Sequence, residues 1–266
     1  MKFRLVTGLV ILAGLALTGL SLRRVEAPLW ATIRADEPAL RLDASATAAE
    51  PGVVLGVLGG FRTAAADIIW LRAHVLVEAR NLPAAESLLG LVTAIDPRPL
   101  YFWLNGARIM AYDMPEWRIL EAGGYAEVPA ELQERIRQEQ AQRALARLDE
   151  ARKFHPSSAA LWIERANLQL NRLGDLPGAA ASYRRAWEQP GAPYFAARLH
   201  AGLLRRLGRK AEAHAWLVRL HPQLPPTDDS AGAALVLARI RELERELGVP
   251  AGQGYCQRAG RSFGPD

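Results

Sequence analysis

The sequence predicts an all-α protein of antiparallel helix pairs, preceded by a transmembrane helix. Three observations carry this. Ala, Leu and Arg, all good helix formers, are abundant, while β-branched residues are sparse after the first hundred positions. Two glycines, Gly174 and Gly208, recur 34 residues apart in matching contexts. The stretch from Leu5 to Leu22 runs 18 residues without a charge. At 266 residues, half of them apolar, the chain can bury a core and has room for one elongated domain or two small ones.

As a helix the uncharged run spans roughly 27 Å, just enough for a hydrocarbon core. Lys2 and Arg4 precede it; Arg23 and Arg24 follow. A cleavable signal peptide is the rival reading. The run exceeds a usual signal-peptide core, however, and the first small-x-small match, Val25-Glu26-Ala27, is followed by Pro28. Residues 1–24 are therefore expected to be an uncleaved anchor. The flanking charges argue both ways on orientation. Bacterial single anchors of this layout leave the next domain outside the cytoplasm, so the expected location is the inner (cytoplasmic) membrane, single-pass, with a periplasmic helical domain. Residues 25–52, punctuated by Pro28, Pro38 and Pro51, read as a linker.

The net charge of +5 does not point to nucleic acid. Residues 1–24 hold four of the 33 basic side chains and no acid, which leaves 29 basic against 28 acidic in the rest. A body so balanced has no global field to collect phosphates. The single cysteine, Cys256, excludes an internal disulfide framework.

Internal repetition is clearest between Leu173-Gly174-Asp175-Leu176-Pro177-Gly178-Ala179 and Leu207-Gly208-Arg209-Lys210-Ala211-Glu212-Ala213. Each glycine suits a tight turn between antiparallel helices, where positive φ is cheap only for Gly. Ala179 and Ala213 would let the second helix approach the first closely. Ala144, Leu148, Ala151 and Pro156 form a further second-helix pattern, with Trp162 six residues past the proline. Ala85, Leu89 and Pro97 repeat it, and Trp103 again follows by six. Ala107 and Ala166 lie four residues past those tryptophans. Ala179, Tyr183 and Ala186 carry the pattern onward.

On these residues the chain resembles the tetratricopeptide-repeat (TPR) family, over about 68–222 and four units. The Trp162 unit has one extra residue before its turn, the unit around His200 lacks the Trp, and the Trp103 unit carries an insertion at 113–131. The resemblance implies a right-handed α-solenoid over 53–248. The segment Phe61 to Ala73 resembles the first helix of membrane-anchored bacterial repeat proteins. There Asp67 and Arg72 could contact a partner, or Asp67 could cap the helix or pair with Arg62. Val236, Ile240, Leu243 and Leu247 give one apolar stripe on a capping helix at 228–247. Residues 249–266 read as a disordered tail.

No catalytic pattern is present: the five histidines lack metal-ligand spacing, and there is no phosphate loop or nucleophile elbow. Glu116 and Glu121 are the one carboxylate pair that a hydrolase reading could use. The expectation is a non-enzymatic, membrane-anchored interaction scaffold of an envelope or secretion assembly. It would bind a protein or peptide partner, with no cofactor, metal, nucleic acid or small-molecule substrate. An auxiliary subunit of a membrane enzyme or transporter is the alternative. The resemblance implies that first helices line the binding groove, which selects Arg108, Tyr112, Asn167, Asn171, Arg198, Arg205 and Arg206. Asn amides and guanidinium forks suit peptide backbones and carboxylates. In the insertion, Trp117 reads either as an interface anchor or as a cover for the Trp103 helix.

Overall fold

The computed structural model describes residues 62–255. The predicted anchor over 1–24 and linker over 25–52 lie outside the described residues. Among the described residues all regular structure is helical, and no helix is long and apolar enough to cross a membrane. The described residues divide into two compact units, one ending at Phe102 and the other beginning at Trp103.

In the first unit, α1 (Arg62–Glu78) and α2 (Leu82–Ile95) pack as a pair. Ala66, Trp70 and Ala73 on α1 and Ala85, Leu89 and Val92 on α2 are buried. Each set steps by four and then three, which puts it on one helix face. Asn81 caps α2, its side chain accepting from the Ala84 N–H at 3.4 Å. Beyond α2, the Trp70 ring lies 5.3 Å from that of Phe102.

The open ends of this pair are tied by Asp96, whose side chain is almost fully buried. It accepts from the Arg98 guanidinium at 2.7 and 2.9 Å and from the Thr63 hydroxyl at 2.8 Å. Arg62 donates to the Ile95 carbonyl at 2.7 Å and not to Asp67, which is exposed. The proposed pairing of Arg62 with Asp67 is therefore corrected: the last carbonyls of α2 need donors, and Arg62 supplies them.

In the second unit the helices follow one another in chain order. After α3 (Leu100–Arg108) come a π-helical turn (Ile109–Asp113), α4 (Met114–Glu121), α5 (Ala130–Ala151), α6 (Ala159–Asn171) and α7 (Leu176–Trp187). Then α8 (Tyr194–Arg206), α9 (Lys210–Leu220) and α10 (Ala233–Glu246) complete the unit. From α5 onward each helix packs on the next. The two turn glycines adopt the expected positive φ, +63° at Gly174 and +76° at Gly208. Ala107, Ala166, Ala179 and Ala213 are fully buried, as the pattern expected. Trp103 stacks on Phe154 at 5.7 Å, and Trp162 is covered by the guanidinium groups of Arg152 and Arg185 at 4.3 and 4.9 Å.

Three expectations need correction. The insertion expected at 113–131 does not interrupt the helix at its start, because its first half continues the helical path. Pro115 has no N–H to give to residue 111, and its ring crowds that carbonyl. The backbone widens instead, and the Met114 N–H reaches the Ile109 carbonyl five residues back. Ile119 and Val128 are buried with Ile136 of α5, and Gly123 and Gly124 make the turn at φ +115° and +87°. Secondly, Asp228 caps only a short 3-10 turn (Asp229–Ala231); α10 begins after Gly232, at φ +63°. Val236, Ile240 and Leu243 are buried as expected, but Leu247 is exposed. Lastly, residues 249–255 are not tail. The Tyr255 N–H donates to Glu244 at 2.6 Å and its hydroxyl lies 3.1 Å from His221 Nδ1, so this stretch folds back over α10.

Burial alone would raise the Asp96 carboxyl. The hydrogen bonds from Arg98 and Thr63 outweigh it and hold that carboxyl below the usual carboxylate range. A depressed acid stabilises the fold above its unfolded value, about 3.9, and that contribution is lost as pH falls further. Asp96→Asn is expected to cost about 1–3 kcal/mol at pH 7 in urea titrations. The loss should shrink at pH 3, and equal losses at the two pH values would refute the role of the charge.

Candidate functional site

Three elements of the second unit bring polar side chains together: the α3–π-turn run, α6 and α7. Glu164 enters from α6 with 3% of its surface exposed. A carboxylate so placed requires a partner. Arg108 provides it, donating from Nη2 at 2.6 Å and Nε at 3.0 Å to the same oxygen, Oε2. The arginine side chain itself stays half-exposed, at 51%. The Glu164 hydrogen bond, together with its charge, outweighs burial and raises the Arg108 guanidinium further above its ordinary value.

Next to this pair, the Tyr183 hydroxyl of α7 donates to Asn167 Oδ1 at 2.6 Å. That bond orients the Asn167 amide, because its oxygen is the only atom that can accept. The two Nδ2 hydrogens then point away from Tyr183. Burial, followed by the nearby Glu164 and Tyr112, pushes the Tyr183 hydroxyl up, so it remains a donor at neutral pH. Tyr112 lies in the widened turn with the Arg172 guanidinium 4.1 Å above its ring. The π-turn thus re-aims Tyr112 and Asp113 at the end of α6, a common use of such bulges. Asn171, in the last turn of α6, is exposed.

Of the residues selected from the sequence, Arg108, Tyr112 and Asn167 therefore share one cluster, and Asn171 lies further along the same helix as Asn167. The others lie elsewhere. Arg198 donates to the carbonyls of Ser230 and Ala231 at 2.9 and 2.6 Å, and covers Gly232. Arg205 pairs with Glu242 at 2.7 Å and with Glu246. Both guanidinium groups dock the approach to α10 and α10 itself onto α8. Arg206 is exposed, and Trp117 is partly buried on α4. Glu116 accepts from the Tyr125 hydroxyl and pairs with Arg137 at 3.5 Å, whereas Glu121 is exposed.

Sequence reading missed Glu164, Arg172 and the role of Tyr183. One signal was available: Glu164 follows the apolar run Leu161-Trp162-Ile163, and an acid drawn into a buried face there calls for a cation. The cluster offers a strip of donors: the remaining nitrogens of exposed Arg108, the amide of partly buried Asn167, and exposed Asn171. Such a strip suits carbonyl or carboxylate acceptors. Among the described residues no group of three or more His, Cys, Asp and Glu side chains could hold a metal ion.

No protein-family model matches this chain, and no curated protein matches it. Among solved structures the chain is similar to a thermophilic TPR protein of Thermus thermophilus, at 18% identity and a TM-score of 0.38, over 83% of this chain and 99% of that one. At that TM-score the likeness decides nothing further.

Glu164→Ala would leave Arg108 without its buried counter-charge. Since Arg108 is half-exposed, the expected loss is about 1–2 kcal/mol in chemical denaturation. Asn171→Ala should stay within about 0.5 kcal/mol. A Glu164→Ala protein as stable as the parent would remove the pair from the framework of the site.

Proposed function

We propose that the chain is a protein-interaction scaffold of the tetratricopeptide-repeat type, held to the inner membrane by residues 1–24, with its helical body in the periplasm. The donor strip of Arg108, Asn167 and Asn171 carries the reading. Its anchors are fixed by partners inside the fold, Glu164 for Arg108 and Tyr183 for Asn167, while Arg108 and Asn171 are exposed. A preorganised row of donors recognises an extended peptide by its carbonyls and acidic groups at little entropic cost. The recurring Trp, Ala and Gly positions support the repeat type, and the uncharged run with its basic flanks supports the anchor. A place in an envelope or secretion assembly follows from that pairing of anchor and scaffold, which needs no chemistry to be useful.

The test uses the full chain, solubilised from membranes and used to capture its partner. Asn171→Glu places an acid in the donor strip at an exposed position, so the fold should melt unchanged. Capture is expected to fall about tenfold or more, the effect of one lost charge-assisted contact plus repulsion. Removal of residues 1–24 should shift the protein out of the membrane fraction without weakening capture. Unchanged capture by Asn171→Glu would move the interface off this strip.

A further inference from the structure

A second concavity lies away from the donor strip, between α7, α8 and α9. Its volume is about 380 Å³, within the range of small-ligand sites. Ala180, Leu204, Ala215 and Trp216 supply apolar lining, and Arg184, Arg209 and Arg219 supply charge against one acid, Glu212. Arg209 is engaged by Glu212 and Arg184 by Glu188 at 2.9 Å. The Arg219 guanidinium has no partner among the described residues, although its backbone carbonyl accepts from Gln223.

His200 also lines this cavity and is buried, 7% exposed. Its Nδ1 lies 2.8 Å from the Ala180 carbonyl, which can only accept, so Nδ1 carries the hydrogen. Its ring meets Trp216 edge-on at 4.5 Å, and Trp216 is itself fixed by donating to the Ala197 carbonyl at 3.0 Å. Burial holds the imidazole below its ordinary pKa. Arg184 and Arg209 push the same way, and the Ala180 bond and Glu188 oppose them. The ring is therefore neutral at pH 7, and Nε2, which has no partner among the described residues, is an acceptor.

We infer that this cavity binds a small carboxylate whose apolar body carries a hydroxyl. Arg219 takes the carboxylate, the Trp216, Leu204 and alanine surfaces take the body, and His200 Nε2 accepts from the hydroxyl. The unpaired guanidinium and the neutral acceptor line one concavity of mixed polar and apolar surface, and each would be satisfied by one end of such a molecule. The site is independent of the donor strip: it is built on α7, α8 and α9 and shares no residue with it.

The test titrates the full chain with 4-hydroxybenzoate, benzoate and methyl 4-hydroxybenzoate by equilibrium dialysis. Saturable binding of one 4-hydroxybenzoate per chain is expected, with the uncharged ester at least about tenfold weaker. Arg219→Ala, at an exposed position, should weaken 4-hydroxybenzoate by about the same factor, and Arg219→Lys by less. His200→Asn retains a donor for the Ala180 carbonyl and removes the Nε2 acceptor. It should abolish the preference for 4-hydroxybenzoate over benzoate while benzoate binding persists. Absence of saturable binding, equal binding of the ester, or an Arg219→Ala protein with unchanged affinity would overturn the proposal.

Discussion

Close approach of paired helices over alanine is the constraint on which the second unit rests. In the cluster around Trp162, five of the eight buried residues are alanines: Ala166, Ala179, Ala180, Ala186 and Ala196. Helix axes can come near only where the side chains between them are small. Alanine contributes little burial of its own, so the apolar stabilisation falls on the few large neighbours, Trp162, Tyr183 and Leu203. Gly178 shows the same tightness at the start of α7. A Cβ there would meet the capping Asp175 carboxylate at 2.0 Å and the Gln169 amide at 2.5 Å.

That spacing sets which polar groups face one another. With α6 and α7 held close, Ser182 reaches Gln169 at 2.6 Å and Tyr183 reaches Asn167 at 2.6 Å. The burial of Glu164 is possible only because α3 presents Arg108 at the matching height. Packing and the donor strip are thus one arrangement. The hydrogen bonds that satisfy the inner polar atoms also aim the outer ones.

Arginine plays three different parts in this chain. It covers aromatic rings, as Arg152 and Arg185 do for Trp162 and Arg172 for Tyr112. It closes carbonyls at chain turns, as Arg62 and Arg198 do. It pairs with acids across helices, as Arg205 does with Glu242. Much of the arginine in the described residues is accordingly engaged in packing. Of the three arginines that line the concavity between α7, α8 and α9, Arg219 is the one without a partner among the described residues, and so the one left open to a ligand there.

Helix pairing was legible in the sequence, because it is written in local chemistry. Positive φ at Gly174 and Gly208, the buried alanines of each pair and the stripe of α10 depend on period and turn residues alone. Arg108, Tyr112, Asn167 and Asn171 were legible as residue types on first helices. Their division into engaged and free donors was not, since Glu164 lies 56 residues from Arg108 and Tyr183 lies 16 from Asn167. The widened turn at Ile109–Asp113 escaped for another reason: Pro115 reads as a break, yet the helix absorbs it by adding one residue to the turn. The 3.6-residue period and the glycine turns thus determined the all-α pairing. Only the tertiary structure decided which arginines are engaged and which remain open, because partnership depends on distances between helices that no local pattern encodes.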